Sequence, residues 1–171
     1  MTHTGTDRLV ETARFRAAYR QVPAAVAVLL VPGGPAGITG LTCTSATSLS
    51  GSPPMAMLAV DHKTNLAPLA QKAGHFSINY LAADRAGWAR AFAGRNRHLD
   101  DLAAAVVPGH TRVPTLATGT TAVLECRTTA VHPGGDHWIL CGEVLHARAQ
   151  PDAPPLLYLN GRYGTFHPHD H

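Results

Sequence analysis

The sequence predicts a mainly β protein, an antiparallel β-barrel decorated with short helices. At least six short stretches have strand-like patterns, their connections are of hairpin length, and strands do not alternate with helices as they do in a parallel sheet. No G-x-G-x-x-G motif follows a strand and no Walker A motif occurs, so a Rossmann domain is not expected. The 171 residues suit one domain, 1–171, with flexible tails at 1–6 and 165–171.

The N-terminal third is expected to hold one helix and one hairpin. Thr6 or Asp7 can cap a helix that has apolar residues at helical spacing, runs to about Tyr19 and packs on the outside of the core. The apolar run Val22–Val31 predicts a buried strand, and Ile38–Thr47 predicts the strand that returns after a turn rich in Gly and Pro.

The middle of the chain predicts two further strands and a helix between them. Met55–Val60 is a short apolar strand, and the following helix has Asn65 as its N-cap and Gly74 as its stop. Apolar and polar residues alternate in His75–Tyr80, which predicts a strand with one polar side.

Asp84 is expected to cap the next helix, in which Trp88 and Phe92 meet on one face as a core-facing aromatic pair. The helix is expected to stop at Gly94, and Arg95 follows in a small basic cluster. That cluster is either a solvated loop or a phosphate contact.

The C-terminal part predicts a second hairpin. Leu99–Gly119 is punctuated by Pro and Gly, which indicates a short helical piece and then a surface excursion. Two long alternating strands, Thr121–Ala130 and Trp138–Ala149, are joined by a Gly-rich turn, and Leu156–Leu159 is a last short strand.

Composition argues against several classes of protein. The formal net charge is +3 with the basic residues mostly scattered, so nucleic-acid binding is not expected. The longest apolar run has ten residues, about half of what a bilayer-spanning helix needs, so no membrane partner is expected. Three cysteines without a C-x-x-C pair are typical of buried free thiols in a reducing compartment, which favours the cytoplasm.

The segment GLTCTSATSLSGSPP, residues 40–54, holds seven hydroxyl side chains and no charge. Because no Asp or Glu occurs between Glu11 and Asp61, an anionic ligand would meet no fixed negative charge there. The hydroxyls can bond phosphate, ribityl and carbonyl oxygens. A solvated turn is an equally good interpretation of the composition.

Among the eleven histidines, His137 stands out because it follows Asp136 where a turn meets a strand. The acid can orient its ring for a functional role, although a contact that only stabilises the turn explains the pattern equally well. The histidines of the tail, His167, His169 and His171, lie on a terminal segment with no nearby cysteine, so no metal site is expected.

The order of these features resembles the flavin reductase family, whose members have the FMN-binding split-barrel fold and serve two-component flavin monooxygenases. The resemblance runs from about Phe15 to Gly164. It rests on the hydroxyl-rich segment and on five further pieces: HFSINYL at 75–81, the helix through Phe92, LEC at 124–126, GGDHWILCGEV at 134–144 and RYG at 162–164.

The resemblance implies a homodimeric split barrel that binds FMN or FAD, with NADH or NADPH as co-substrate and an oxygenase as the partner that receives reduced flavin. His137 is the implied catalytic residue on the pyridine-nucleotide side. The implied cofactor-binding residues are Thr42, Cys43, Thr44, Ser45, Thr47, Ser48, Lys63, Asn65, Arg95 and Tyr163. The sequence departs from the family pattern at Ala24, Ala25, Ala46, Gly51 and Ser52.

The implied reaction is hydride transfer from the nicotinamide to the flavin, which needs no protein nucleophile. Two alternatives remain open at this point. A split-barrel protein could carry flavin or haem without reducing it, in a sensing, carrier or specialised role, because a fold does not fix a function. The second alternative is a histidine-dependent metal protein.

Overall fold

The structure is a computed structural model that describes residues 8–33, 38–94, 102 and 104–168. Three helices are described: α1 (Thr12–Tyr19), α2 (Leu66–Ala73) and α3 (Ala86–Ala93). The described strands are β1 (Ala24–Ala25), β2 (Ala27–Pro32), β3 (Ile38–Cys43), β4 (Thr47–Gly51), β5 (Pro54–Asp61), β6 (His75–Leu81), β7 (Val106–Pro108), β8 (Pro114–Leu116), β9 (Thr120–Gly134), β10 (His137–Ala149), β11 (Leu157–Leu159) and β12 (Arg162–Gly164). The predicted mainly β class with a few short helices is confirmed.

Seven of the strands that the described residues form make one antiparallel sheet, in the order β3-β2-β6-β9-β10-β5-β4. The two predicted hairpins are its β2–β3 and β9–β10 pairs. Two smaller antiparallel sheets are β1-β11-β12 and β7-β8. Within the described residues, β3 and β4 are the sheet's two edges and do not pair with each other.

Strand β2 is buried on both faces, which is why its sequence is an unbroken apolar run. Leu29 belongs to a core cluster that includes Leu66 of α2, whereas Leu30 belongs to a second cluster that includes Phe92 of α3. Trp88 packs against the second cluster as well, so the predicted core-facing aromatic pair is confirmed. Helix α2 therefore packs into the first core cluster and helix α3 into the second.

The polar side of β6 is covered by the β7–β8 hairpin. Ser77 and Asn79 are fully buried; the Ser77 hydroxyl donates to the Pro114 carbonyl at 2.6 Å, and the Asn79 side-chain oxygen accepts from the Leu116 N–H at 2.9 Å. The sequence predicted a short helical piece and then a surface excursion over 99–119, and for β7 and β8 the predicted excursion is wrong. Polar side chains of a distant strand help to hold these strands, together with the packing of Val106 and Leu116 in the second core cluster, and no local hydrophobic pattern reveals the polar contacts.

Several predicted boundaries are also wrong. Helix α1 starts at Thr12 rather than near residue 7, since the chain is not helical over 8–11. The run 22–31 is divided at Val26, where β1 ends and β2 begins. The returning strand ends at Cys43, and the chain bends before β4 starts at Thr47, because β3 pairs with β2 while β4 pairs with β5.

Two predicted helix caps need correction as well, and one strand was missed. Asn65 and Gly74 do flank α2, but the Asn65 side chain makes no capping hydrogen bond. Asp84 lies in a 3-10 turn and forms an ion pair with Arg85 instead of capping α3. Strand β12 was not predicted.

In the described ranges, no helix is long and apolar enough to cross a bilayer.

Candidate functional site

Strand β5 organises the candidate residues, because β4 pairs with one of its edges and β10 with the other. Ser48 is level with Ala56, and His137 is level with Asp61. Five residues of extended chain separate these two levels, so the candidates spread over about 17 Å along the strand. An elongated ligand would be needed to contact both ends.

Two hydroxyls of the hydroxyl-rich segment are used inside the protein. The Thr42 hydroxyl donates to the Ala89 carbonyl of α3 at 2.7 Å. The Ser45 hydroxyl donates to the Ala59 carbonyl at 2.9 Å and accepts from the Ala59 N–H at 3.1 Å. The Ser45 side chain thus bonds the backbone of β5 as a residue of a neighbouring strand would, just beyond the end of the β4–β5 pairing. Neither hydroxyl has its proton free for a ligand.

Three other hydroxyls of the segment remain available. Thr44, Thr47 and Ser48 are exposed, and their side chains bond to no group in the described part of the chain. Thr47 and Ser48 lie on β4, the edge strand, so their positions are fixed by pairing with β5. They are exposed donors and acceptors, and no carboxylate lies near them in the sequence, which suits phosphate and ribityl oxygens.

Cys43 lies in the middle of the segment but is buried in the first core cluster. Burial raises the pKa of its thiol to about 12, while the backbone amides of Ser45 and Ala46 oppose that rise. The thiol is therefore neutral at physiological pH and is not a nucleophile or a redox group. Its part in a site is limited to shaping the loop.

Lys63 and Asn65 lie just after β5, as the sequence predicted, and both are exposed. The Asp61 carboxylate accepts from the Lys63 N–H at 2.8 Å and so holds the 3-10 turn His62–Thr64. Asn65 has a left-handed backbone, with φ of 54°. That conformation carries the chain from the turn into α2 and leaves the amide side chain at the surface.

His137 is oriented by Asp136. Its Nδ1 lies 2.7 Å from the Asp136 carboxylate, and the pKa of that carboxyl is lowered chiefly by this hydrogen bond, with the charge of His137 and that of His62 acting in the same direction. Because Nδ1 is engaged, Nε2 is the ring nitrogen left for a ligand. No cluster that could hold a metal ion occurs in the described ranges.

Tyr163 lies in a different place, against α3 and β11. The Arg90 guanidinium is 5.5 Å from the centre of its ring, and the Tyr158 ring is 5.3 Å away. Burial raises the pKa of the Tyr163 hydroxyl; Tyr158 adds to the rise and Arg90 opposes it. The ring is therefore a neutral aromatic surface beside a cation.

A cavity of about 460 Å³ opens beside Tyr163, between Pro23 and the β11–β12 pair. Arg162 and Thr165 are among its lining residues. The Thr165 hydroxyl is buried and has no hydrogen-bond partner among the described residues, an arrangement that costs about 1–3 kcal/mol unless another group satisfies it. The cavity thus offers an aromatic face, a cation and an unsatisfied hydroxyl.

The structure brings the sequence-predicted residues into two groups. Thr44, Ser45, Thr47, Ser48, Lys63, Asn65 and His137 are arranged along and just beyond β5, whereas Thr42 and Tyr163 both contact α3. No contact joins His137 to Tyr163 in the described residues. Arg95 lies outside the described residues, so its predicted phosphate contact stays a prediction.

Sequence reasoning missed His62 and Trp138. Their rings lie 4.5 Å apart between centroids, tilted by 47°, next to His137. They meet because β10 and β5 pair with His137 opposite Asp61, a register that cannot be read from either strand alone. The pattern GGDHW gave the only sequence signal, and it pointed to the histidine that precedes the tryptophan.

Residues 19–167 match the family model described as "Flavin reductase like domain". The chain is 36% identical over 132 residues to the FMN reductase (NADH) SmoA of Agrobacterium fabrum, covering 77% of this chain and 74% of that protein. It is 35% identical over 124 residues to the reductase component of 4-hydroxyphenylacetate 3-monooxygenase of Thermus thermophilus, covering 72% and 76%. The solved structure of the Streptomyces globisporus C-1027 NADH:FAD oxidoreductase SgcE6 in complex with NAD and FAD fragments superposes with a TM-score of 0.83 at 30% identity, covering 94% of this chain and 98% of that one.

Proposed function

Because the chain belongs to the flavin reductase family, we propose that it is an NAD(P)H:flavin oxidoreductase that reduces FMN or FAD and supplies reduced flavin to a partner monooxygenase. The observation that carries the proposal is the presence on β4 of two exposed hydroxyls, Thr47 and Ser48, that have no partner in the described part of the chain; they lie in a stretch of 49 residues, 12–60, that has no acidic side chain. A neutral surface of this kind suits a flavin phosphate and its ribityl chain.

The candidate residues then have separate tasks, which do not follow the two spatial groups. Thr47 and Ser48 bond the ribityl and phosphate oxygens, and Lys63 supplies positive charge just beyond β5. His137 presents Nε2 on the pyridine-nucleotide side, and Tyr163 offers its ring to the nicotinamide half. When both cofactors are bound, the nicotinamide supplies a hydride to the flavin, so the protein needs to hold the rings in contact rather than to provide a nucleophile.

We include the split barrel, the single domain and the homodimer in this proposal. Helix α1 supports the homodimer because it buries none of its residues, although it carries Phe15 and Tyr19. A helix of eight residues is not stable in water without packing on an apolar surface. A second copy that covers α1 supplies that surface, and it can also bring residues of two chains into one cleft.

The dimer is tested by light scattering coupled to gel filtration. The variant Phe15→Asp is expected to be monomeric, whereas Leu145→Asp, an equally simple change at an exposed leucine of β10, is expected to remain dimeric. A wild-type protein that elutes as a monomer at micromolar concentration would remove the homodimer from the proposal.

The cytoplasm is proposed as the location of the protein, supported by three free, buried thiols.

The activity is tested anaerobically with purified protein, NADH or NADPH, and each flavin. We expect stoichiometric loss of nicotinamide and flavin absorbance with at least one pair. A protein that purifies with bound flavin yet oxidises neither nucleotide would instead support a carrier or sensing role. A protein that does neither would refute the proposal.

A further inference from the structure

The turn between β11 and β12 is formed by Asn160 and Gly161, the only Asn-Gly pair in the sequence. Leu159 and Arg162 pair across it, and the two turn residues have φ of 48° and 81°. Positive φ at both positions defines the type I′ turn that Asn-Gly favours in two-residue hairpins. Both residues are exposed, so the turn that closes the hairpin is open to water.

The reactive groups of this pair are unengaged in the described part of the chain. Neither the Asn160 side-chain amide nor the Gly161 N–H has a hydrogen-bond partner there. A Cβ placed at Gly161 would meet no atom within 4 Å. Since glycine has no side chain, its nitrogen can approach the neighbouring side chain closely. No described group around the turn therefore blocks a reaction between the Gly161 nitrogen and the Asn160 side chain.

The hairpin can also supply the backbone freedom that closure of a ring between these two groups needs. Strands β11 and β12 have three residues each, and β12 is an edge strand that pairs with β11 in the described residues. Short strands at an edge open locally at low free-energy cost. The turn can thus leave the type I′ geometry while the seven-stranded sheet stays folded.

We propose that Asn160 is a site of spontaneous deamidation, and that the carboxylate formed there weakens nucleotide binding at the cavity beside Tyr163. The Gly161 nitrogen attacks Cγ of Asn160; a C–N bond forms, the bond from Cγ to the side-chain nitrogen breaks, and ammonia leaves with the Gly161 proton. Water then opens the five-membered succinimide ring at one of its two carbonyls. Opening at Cγ gives aspartate, and opening at the main-chain carbonyl gives isoaspartate, in which the chain runs through the side chain.

The product differs from Asn160 in charge and in chain path. Asn160 and Arg162 both line the cavity, so a carboxylate at position 160 offsets the positive charge there and disfavours an anionic nucleotide. Isoaspartate also adds one carbon to the main chain of the turn, next to the Asn160 N–H that donates to the Arg20 carbonyl at 2.9 Å. The effect on nucleotide binding rests on the proposed function, in which Tyr163 meets the nicotinamide half.

Asn65 is a matched control within the same chain. It too is exposed and has a left-handed backbone, with φ of 54°. The residue that follows it is Leu66, which is buried and whose N–H donates to the Thr64 hydroxyl at 3.4 Å. A bulky side chain and an engaged N–H both hinder the attack, so Asn65 should stay intact.

Peptide mapping after incubation of the purified protein at pH 6 and pH 8 tests the modification. Trypsin should release residues 149–162, with Asn160 as their only asparagine, and residues 64–72, which contain Asn65. Peptide 149–162 should gain about 1 Da, assigned to Asn160 by fragment spectra, and should accept a methyl group from an isoaspartyl methyltransferase. The gain should be faster at pH 8, because the attacking nitrogen must lose its proton. No gain in peptide 149–162, or an equal gain in peptide 64–72, would overturn the proposal.

Steady-state kinetics test the effect of the new charge. Asn160→Asp should raise KM for NADH or NADPH about two- to fivefold, as expected for an exposed charge, and the increase should shrink at high salt. Asn160→Gly keeps a turn-forming pair without adding charge and should change KM by less than about twofold. Equal effects of the two variants, or none in Asn160→Asp, would overturn the effect on binding. Absence of turnover in the wild type would refute the proposed function, while the mass measurement would still decide whether Asn160 is modified.

Discussion

Replacing Glu125 with glutamine tests how the β7–β8 hairpin is held on the sheet. Glu125 lies on β9 and is 3% exposed. Its carboxylate accepts hydrogen bonds from the His110 N–H at 2.9 Å, the Thr111 N–H at 2.6 Å and the Thr111 hydroxyl at 2.6 Å. A Cβ at Gly109 would lie only 2.5 Å from this carboxylate, so the chain closes tightly around it.

Glutamine cannot reproduce this arrangement because one of its two terminal groups is an NH₂ donor. If its oxygen keeps the two Thr111 bonds, the NH₂ faces the His110 N–H, and a buried donor meets another donor. The loss of one charge-assisted bond and the burial of unsatisfied donors should together destabilise the protein by about 3 kcal/mol. For a chain of this size that corresponds to a fall in Tm of roughly 6–12 °C.

The effect should depend on pH. Burial works to raise the pKa of Glu125, but the hydrogen bonds from Thr111 and His110 outweigh it and hold the pKa below its ordinary value of 4.5. A lowered pKa means that the carboxylate's contribution is present above pH 4.5 and is lost as the pH falls through the folded-state pKa. The difference between wild type and Glu125→Gln should therefore be full at pH 7 and shrink below pH 4.5.

Urea unfolding at pH 7 and pH 4 measures the difference. The matched control is Glu143→Gln, the same substitution on the adjacent strand, where the carboxylate pairs with Arg127 at the surface and should contribute no more than about 1 kcal/mol. Equal destabilisation by the two substitutions, or a Glu125 effect that does not change with pH, would refute the reasoning.

Three further outcomes are expected. Ser48→Ala should raise the Kd for flavin about fivefold, and His137→Ala should raise KM for the nicotinamide nucleotide. Because about 17 Å of β5 separates the two residues, Ser48→Ala should have little effect on KM for the nucleotide, and His137→Ala little effect on the Kd for flavin. Gly142→Ala should destabilise the protein, since the new Cβ would lie 2.7 Å from the Phe76 ring. In Gly87→Ala, in α3, the new Cβ meets no atom within 4 Å, so this variant should raise the free energy of unfolding in urea by about 1 kcal/mol. The Cys43 thiol, with its pKa raised to about 12, should react with a thiol reagent at pH 8 only on unfolding.

The sequence was informative wherever burial imposed a pattern within one segment. Strand β2 is buried on both faces and is apolar throughout, and the long strands β9 and β10 alternate around a Gly-rich turn. It was uninformative for β7 and β8, because their fixed position depends on Ser77, Asn79 and Glu125 from other strands. Side chains that act at long range leave no periodic signal near the segment they hold.

In the candidate site, too, the sequence reveals the segment that matters, but only the packing of distant segments reveals which of its atoms are available. Composition pointed to the hydroxyl-rich segment, but only the arrangement of its residues beside β5 separates the hydroxyls that bond within the protein from those without a partner in the described residues. Ser45 follows the end of β3 and completes the hydrogen bonds of Ala59, so its proton is already used; Ser48 is three residues further on, in the edge strand, and its hydroxyl has no partner in the described part of the chain. The sequence does not distinguish these two serines, yet they have different roles. Strand register decides which of them can contact a ligand, and register is a property of two segments together.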